Sequence, residues 1–303
     1  MSATTGNRTQ AAMLAVLGYA TLIGFTDNYV RTVAAEGGIW QFHAMRTAMA
    51  VVLYALAMVP LGLQLRPKNL RAVVARSAIH AVSMLIYFGS LAFLTVPQTV
   101  AGLFTAPIFV LIFSRLMFGH PLGPVRIAAV AVGFLGVVLV LQPGTQSALG
   151  WGSLFPVLAG ALYALGNLAT REWCDGESAA GLTLAFFLAM GLSGLAGMGV
   201  LALWQPEVPA GTDGFLLRGW VWPSQTFVFW TFVQAIGSMI AVGLMVRAYQ
   251  LAEASRVSIF EYVLLPISAG WSWLLWGQSV SALAWLGMAL IVAAGAMIAL
   301  RGR

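Results

Sequence analysis

The chain has 303 residues and a net charge of +6, with 60% hydrophobic and only 8% charged residues. A soluble domain is about 25% charged, so there is too little charge here to coat a globule in water, and a soluble enzyme, a disordered chain and a nucleic-acid binder are excluded. The fifteen Lys and Arg residues form no patch or stripe that would grip nucleic acid; they suit a membrane protein that keeps its cations in loops.

The single cysteine, Cys174, excludes a disulfide framework and a cysteine-based metal site, and three histidines leave little else for a metal. No metal and no cofactor are expected. The first ten residues, with Arg8, lack the small-residue cleavage pattern of a signal peptide, so the first apolar stretch is expected to be retained.

Crossing a bilayer takes about 20 apolar residues. Runs of this kind lie at 11–33, 39–63, 73–94, 99–118, 125–141, 151–173, 181–204, 226–250, 257–276 and 282–300. The stretch 205–225 is rich in Pro, Gly and Trp and reads as an extramembrane loop with interfacial aromatics. The runs are continuous rather than alternating, which argues against a β-barrel. The expectation is an all-α membrane protein of ten transmembrane helices. With the N-terminus inside, the cytoplasmic side collects Arg8, Arg66, Lys68, Arg71, Arg76, Arg115, Arg126, Arg171, Arg247, Arg256, Arg301 and Arg303, against Arg31 and Arg218 outside. Both termini are therefore expected to be cytoplasmic.

The chain also repeats weakly. Gly18-Tyr19-Ala20-Thr21-Leu22-Ile23-Gly24 parallels Gly160-Ala161-Leu162-Tyr163-Ala164-Leu165-Gly166, and Pro107, Gly119 and Gly136 parallel Pro266, Gly277 and Gly295. This divides the chain into a five-helix repeat at 11–144 and a second at 150–300. An odd number of helices inverts the second half, the architecture of alternating-access carriers whose substrate sits near the midplane.

The stretch Arg247-Ala248-Tyr249-Gln250-Leu251-Ala252-Glu253-Ala254-Ser255-Arg256, with Phe260-Glu261-Tyr262-Val263-Leu264-Leu265-Pro266 and Trp273-Leu274-Leu275-Trp276-Gly277, resembles the second repeat of the drug/metabolite transporter superfamily, in its EamA-type ten-helix branch. Ala106-Pro107-Ile108-Phe109 and Phe118-Gly119-His120 carry the matching pattern in the first half. The family usually has Gly-Glu where this chain reads Gly119-His120 and Gly277-Gln278, so any role of that glutamate is absent or altered here. The resemblance implies a multi-pass protein of a bacterial-type inner membrane, with members that export amino acids, drugs and metabolites or import vitamins. Within the family, the aromatic-rich spans are most similar to the YddG-like amino-acid exporters.

Ionisable groups inside a bilayer are functional candidates by default. Asp27 precedes Arg31 by one turn, a spacing that permits an i,i+4 pair; it is either half of a structural ion pair or a cavity carboxylate for a substrate amine or a proton. Glu261 ends a polar strip with Ser258, Leu265, Ser268 and Ser272, and is either a cavity group or a cap paired with a loop arginine such as Arg256. His80 shares a face with Met84 and Tyr87. His43 and Arg46 share a face near the outer third of their helix, and Arg46 suits either a substrate carboxylate or the carbonyls of a broken helix. Polar uncharged candidates for the cavity are Asn28, Gln98, Thr105, Tyr163, Asn167 and Ser238, although such groups also join helices, at about 0.6 kcal/mol each. Trp40, Trp151, Trp173, Trp204, Trp220, Trp222, Trp230, Trp276 and Trp285 read as interfacial belts, with Trp271 and Trp273 deeper. Pro107 and Pro266, a matched pair, are the candidate hinges or gates.

The reading that follows is a secondary transporter exporting small metabolites, neutral or aromatic amino acids first, through a central cavity. Asp27, His80 and Glu261 are the available proton sites. No Gly-x-x-x-x-Gly-Lys-Ser/Thr occurs, so no ATPase partner is required; the partners are a small molecule and the lipid bilayer. The alternatives are cation or multidrug efflux and riboflavin-type vitamin uptake. An intramembrane enzyme is a distant third, because no catalytic constellation accompanies Asp27.

Overall fold

In the computed structural model of the chain, residues 2–90, 99, 102–141, 152, 154–277 and 281–301 are described, and among them every regular element is helical. The α-helices are α1 (Ser2–Asp27), α2 (Val30–Glu36), α3 (Ile39–Met58), α4 (Leu70–Ser90), α5 (Ala106–Leu116) and α6 (Pro124–Leu141), followed by α7 (Leu154–Glu172), α8 (Ala179–Trp204), α9 (Gln225–Leu251), α10 (Ala254–Phe260), α11 (Leu264–Trp276) and α12 (Ala282–Arg301). They fall on the ten stretches expected from hydropathy. Among the described residues, five helical stretches are long and apolar enough to cross a membrane: Arg8–Glu36, Leu70–Ser90, Ala179–Trp204, Gln225–Leu251 and Ala254–Leu275. Large apolar side chains such as Leu56, Leu116, Leu192 and Trp273 are exposed, whereas Arg46, Arg76, His80 and Glu261 are buried. This distribution suits a bundle whose outer solvent is hydrocarbon.

Three of the stretches are interrupted. The first breaks between α1 and α2, where Asn28 and Tyr29 make tight i−3 bonds to Phe25 and Thr26 and the Asn28 amide donates to the Gly24 carbonyl at 2.6 Å. That side chain competes with the backbone for helical hydrogen bonds. Asp27 ends α1 and Arg31 is the second residue of α2, so the break falls between them. The other two interruptions sit just before a proline. A turn at Phe104–Thr105 precedes Pro107, the second residue of α5. A 3-10 turn at Glu261–Val263 precedes Pro266, the third residue of α11. A proline has no N–H to continue the ladder, so it sits in the first turn of a new helix at little cost. Pro107 and Pro266 therefore mark the starts of helices, and the bend lies one turn earlier in each case.

The closest helix pairs are α6 with α12, α1 with α9, α3 with α8 and α4 with α7; α7 also packs on α5, and α1 on α11. Small residues permit this. A Cβ at Gly136 would stand 2.6 Å from the Gly287 carbonyl of α12, and one at Gly160 would stand 2.9 Å from the Gly102 carbonyl.

The loops at both ends of the bundle are tied down by single side chains acting on backbone. The 205–224 segment contains a 3-10 turn at Gly211–Phe215 that packs on α2. Arg218 donates to the carbonyls of Ala34 (2.9 Å), Gly37 (3.0 Å) and Gly211 (2.6 Å). Gln41 pairs with both the N–H and the carbonyl of Val221, and the Trp40 indole donates to the Leu216 carbonyl at 2.9 Å. The segment is thus a folded cover, and Trp40 is part of its attachment rather than a free belt residue. At the opposite end, the Glu177 carboxylate accepts from the N–H groups of Lys68 (2.8 Å) and Asn69 (2.6 Å), the Ser178 hydroxyl donates to the Gln64 carbonyl, and Gln250 donates to the Glu177 carbonyl at 2.7 Å.

One expected loop cation is an interior group. Arg76 lies within α4, is 3% exposed, and donates to the Thr170 hydroxyl (2.8 Å) and the Leu182 carbonyl (3.2 Å). Cys174, in the turn after α7, is fully buried; desolvation pushes its thiol up to about 11, opposed in part by Arg76.

Two outcomes are expected. Gly136→Ala destabilises the bundle by about 1–3 kcal/mol through overpacking, whereas Gly199→Ala, with open space at its Cβ position, leaves thermal unfolding in detergent unchanged or higher. Because the thiolate is the nucleophile and Cys174 is protonated at pH 7, maleimide labels the folded protein negligibly and the unfolded protein fully, as read by mass spectrometry.

Candidate functional site

The interior polar groups collect in two clusters, each at an interrupted helix. The first surrounds the 3-10 turn of the ninth stretch. Glu261 begins that turn and is 7% exposed. The Tyr249 hydroxyl donates to its Oε1. Tyr163 stands beside the carboxylate, with Tyr19 and Asn167 next to it, and the Asn167 Nδ2 is buried without a partner. The cluster thus joins α1, α7, α9 and the turn before α11. Glu261 is not a cap on Arg256: the Arg256 and Arg126 guanidinium groups both meet Glu253.

The second cluster surrounds the break between α1 and α2. Asp27 is exposed there. Gln234 of α9, which stands beside Asp27, donates to the Thr26 carbonyl at 2.7 Å. It adds a donor from another helix to a carbonyl that also accepts from the Tyr29 N–H. Arg46 of α3 is 7% exposed and acts electrostatically on Asp27. Its Nη2 donates to His43 Nδ1 at 3.2 Å, and its guanidinium carbon sits over the rings of Phe42 (4.9 Å) and Phe187 (5.4 Å). Tyr87 is half-buried within the field of Asp27. Beside the break, Tyr29 stacks on Trp230 with centroids 3.5 Å apart, and Phe25 stands edge-on to Tyr29 and Trp271. Trp230 is therefore an inner wall at this point, not only a belt residue.

The remaining sequence candidates divide differently from the expectation. His80 is 5% exposed, with its ring against Gly166 of α7 and 5.5 Å from the Tyr163 ring, so it fills the α4–α7 interface next to the first cluster. Met84 packs in an apolar cluster with Tyr54 and Phe187. Three others use their polar groups locally. Thr105 donates to the Gly102 carbonyl at 2.6 Å. Ser238 donates to the Gln234 carbonyl of its own helix. Asn28 bridges Gly24 and Ser272. The single hydroxyl protons of Thr105 and Ser238 are engaged in these bonds, whereas Asn28 keeps a second amide proton. Gln98 lies outside the described residues.

Tyr19, Tyr249 and Gln234 join the clusters without having been singled out. Tyr19 had a signal, since it lies in the glycine-bounded segment that repeats around Tyr163. Tyr249 lies in the Arg247–Arg256 stretch that carries the family resemblance, whereas Gln234 had no signal beyond polarity in an apolar run. Among the described residues, no group of His, Cys, Asp and Glu is arranged to hold a metal. Chemically, the first cluster gathers one carboxyl and three phenols, one of them hydrogen-bonded to the carboxyl; the second offers a cation, a carboxylate and aromatic faces.

Residues 10–142 match the EamA-like transporter family. The chain is 26% identical over 227 residues to a riboflavin transporter of Rhizobium johnstonii, covering 74% of this chain and 68% of that protein. It is 28% identical over 287 residues to a riboflavin transporter of Vibrio cholerae, covering 91% and 89%. The pseudopaline exporter CntI of Pseudomonas aeruginosa is 24% identical over 281 residues, covering 91% and 92%. A solved crystal structure superposes with a TM-score of 0.77 at 18% identity over 97% of this chain and 98% of its own, which shows a shared fold. The chain is thus similar to EamA-like transporters over its first half, and the relatives are named for different molecules, riboflavin and pseudopaline among them.

If the Tyr249–Glu261 bond holds the turn, Tyr249→Phe lowers stability by about 1–3 kcal/mol by removing a buried donor, and Tyr249→Phe with Glu261→Gln costs less than the sum of the two single changes. Thermal unfolding of the four proteins in detergent checks this, and strict additivity would remove the coupling.

Proposed function

We propose that the chain is a secondary carrier of the EamA type that exports neutral or aromatic amino acids by alternating access between two inverted five-helix halves, 11–144 and 150–300. The observation that carries the reading is the cluster of Tyr19, Tyr163, Asn167, Tyr249 and Glu261 around the Tyr249–Glu261 hydrogen bond. It joins one residue of the first half to four of the second in the middle of the bundle, where a carrier with inverted repeats holds its substrate.

The packing supports the repeat. Exchanging the halves maps α1 on α9 onto α7 on α4, α1 on α11 onto α7 on α5, and α4 on α8 onto α9 on α3, while α3 with α8 and α6 with α12 map onto themselves. The interrupted helices before Pro107 and Pro266 are related by the same exchange, and we assign them as the moving elements. The cationic loop end, with Arg66, Lys68 and Arg71, is the cytoplasmic one in this reading, and both termini lie on that side.

Vitamin uptake is the second reading, favoured by the two relatives named riboflavin transporters. Counterflow in proteoliposomes against labelled amino acids, riboflavin and a quaternary ammonium separates the readings. Exchange of tryptophan, phenylalanine or leucine is the expected result; riboflavin exchange with no amino-acid exchange reverses the choice. If transport is proton-coupled through Glu261, Glu261→Gln abolishes the pH dependence of flux, and an unchanged pH profile removes that role. His80→Ala, which empties the α4–α7 interface, lowers folded yield together with flux; a loss of flux at full yield would instead place His80 on the substrate path.

A further inference from the structure

Arg46 is a buried cation whose hydrogen-bonding capacity the fold leaves largely unspent. It joins none of the ion pairs formed among the described residues, and its Nε has no partner. The contrast with the other arginines is direct. Arg76 donates to a hydroxyl and a carbonyl, and Arg218 donates to three carbonyls. Arg46 reaches only His43 Nδ1. A guanidinium has donors and no acceptor, so His43 Nδ1 is the acceptor and the imidazole proton sits on Nε2. That Nε2 is also buried without a partner. Two unsatisfied donors, one of them on a cation, therefore stand one turn apart on α3. Buried donors of this kind are expensive to leave unmade, and a planar anion with two acceptor oxygens is the partner a guanidinium fork fits.

An anion alone would bring an uncompensated charge into the bundle beside Asp27. A ligand that also carries a cation would not. Asp27 is exposed at the α1–α2 break, beside Gln234 and within the field of Arg46. The aromatic faces of Tyr29, Trp230 and Phe25 flank the same break. We propose that Arg46, with His43, receives the carboxylate of the transported molecule and Asp27 its ammonium group, so that this cluster recognises the head of a zwitterionic α-amino acid while the aromatic faces meet its side chain. The inference rests on the amino-acid reading above and assigns the residues that would enforce it.

The test uses wild-type protein in proteoliposomes exchanging labelled tryptophan, with four unlabelled competitors: tryptophan, tryptamine (no carboxylate), indole-3-propionate (no ammonium) and tryptophan methyl ester (carboxylate masked). Each analogue lacking a charge is expected to compete at least about tenfold less well than tryptophan, because it leaves a buried charge unpaired. Arg46→Gln should narrow the gap between tryptophan and tryptamine, and Asp27→Asn the gap between tryptophan and indole-3-propionate. Arg46→Lys, which keeps the charge and loses the fork, serves if the glutamine variant does not fold. Competition by all three analogues within about twofold of tryptophan overturns the head-group assignment while leaving amino-acid transport standing. Wild-type protein that exchanges no amino acid overturns the amino-acid reading itself, and this assignment with it.

Discussion

The structure depends on one constraint: hydrocarbon offers no hydrogen bonds, so every backbone group released by a helix interruption needs a partner from the protein. The interruptions of this bundle are placed where such partners exist. The Thr26 carbonyl at the first break accepts from Gln234. The Gly102 carbonyl at the fourth stretch accepts from the Thr105 hydroxyl and the Thr105 N–H. The turn at Glu261 is closed by tightened backbone bonds from its own residues. The same rule governs the bundle ends, where Arg218 serves three carbonyls and Glu177 serves two N–H groups. Charge is scarce in this chain, and much of it is used to satisfy backbone. That is why the few charges used otherwise, at Glu261, Arg46 and Asp27, stand out.

Helix positions were largely legible in the sequence because a long apolar run in a membrane protein has few other ways to fold. The interruptions at Pro107 and Pro266 were legible for the same reason, since proline removes a donor at a defined place. The break at Asn28 was not. It contains neither proline nor glycine, and Asp27 and Arg31 at helical spacing read naturally as a surface pair. What breaks the helix there is a side chain competing for a carbonyl and a glutamine on another helix ready to take one, and neither is visible in a single run of letters.

The site was legible in part. That Tyr163, Asn167 and Glu261 share a cluster follows from where their helices meet, and the repeated segment already drew attention to its Tyr163 end. Thr105, Asn28 and Ser238 read equally well as cavity donors, because helical spacing fixes the face of a residue but not whether a hydroxyl turns back to its own helix. Arg76 shows the complementary error. Near the end of a run a cation reads as a loop residue, yet its long side chain reaches a threonine and a carbonyl on two other helices. Residue type and period narrow the candidates; the neighbouring helix decides among them.

The sole thiol of the chain is enclosed in the turn after α7. The protein is in effect a ready-made background for site-directed spin labelling. A cysteine placed at an exposed position, such as Trp222 on the cover loop, would be the one reactive site. A second at the exposed Arg66 would put probes on two separate connecting segments without prior removal of a native thiol. Distance distributions between such pairs, recorded with and without substrate, would report directly on which ends of the bundle separate during turnover.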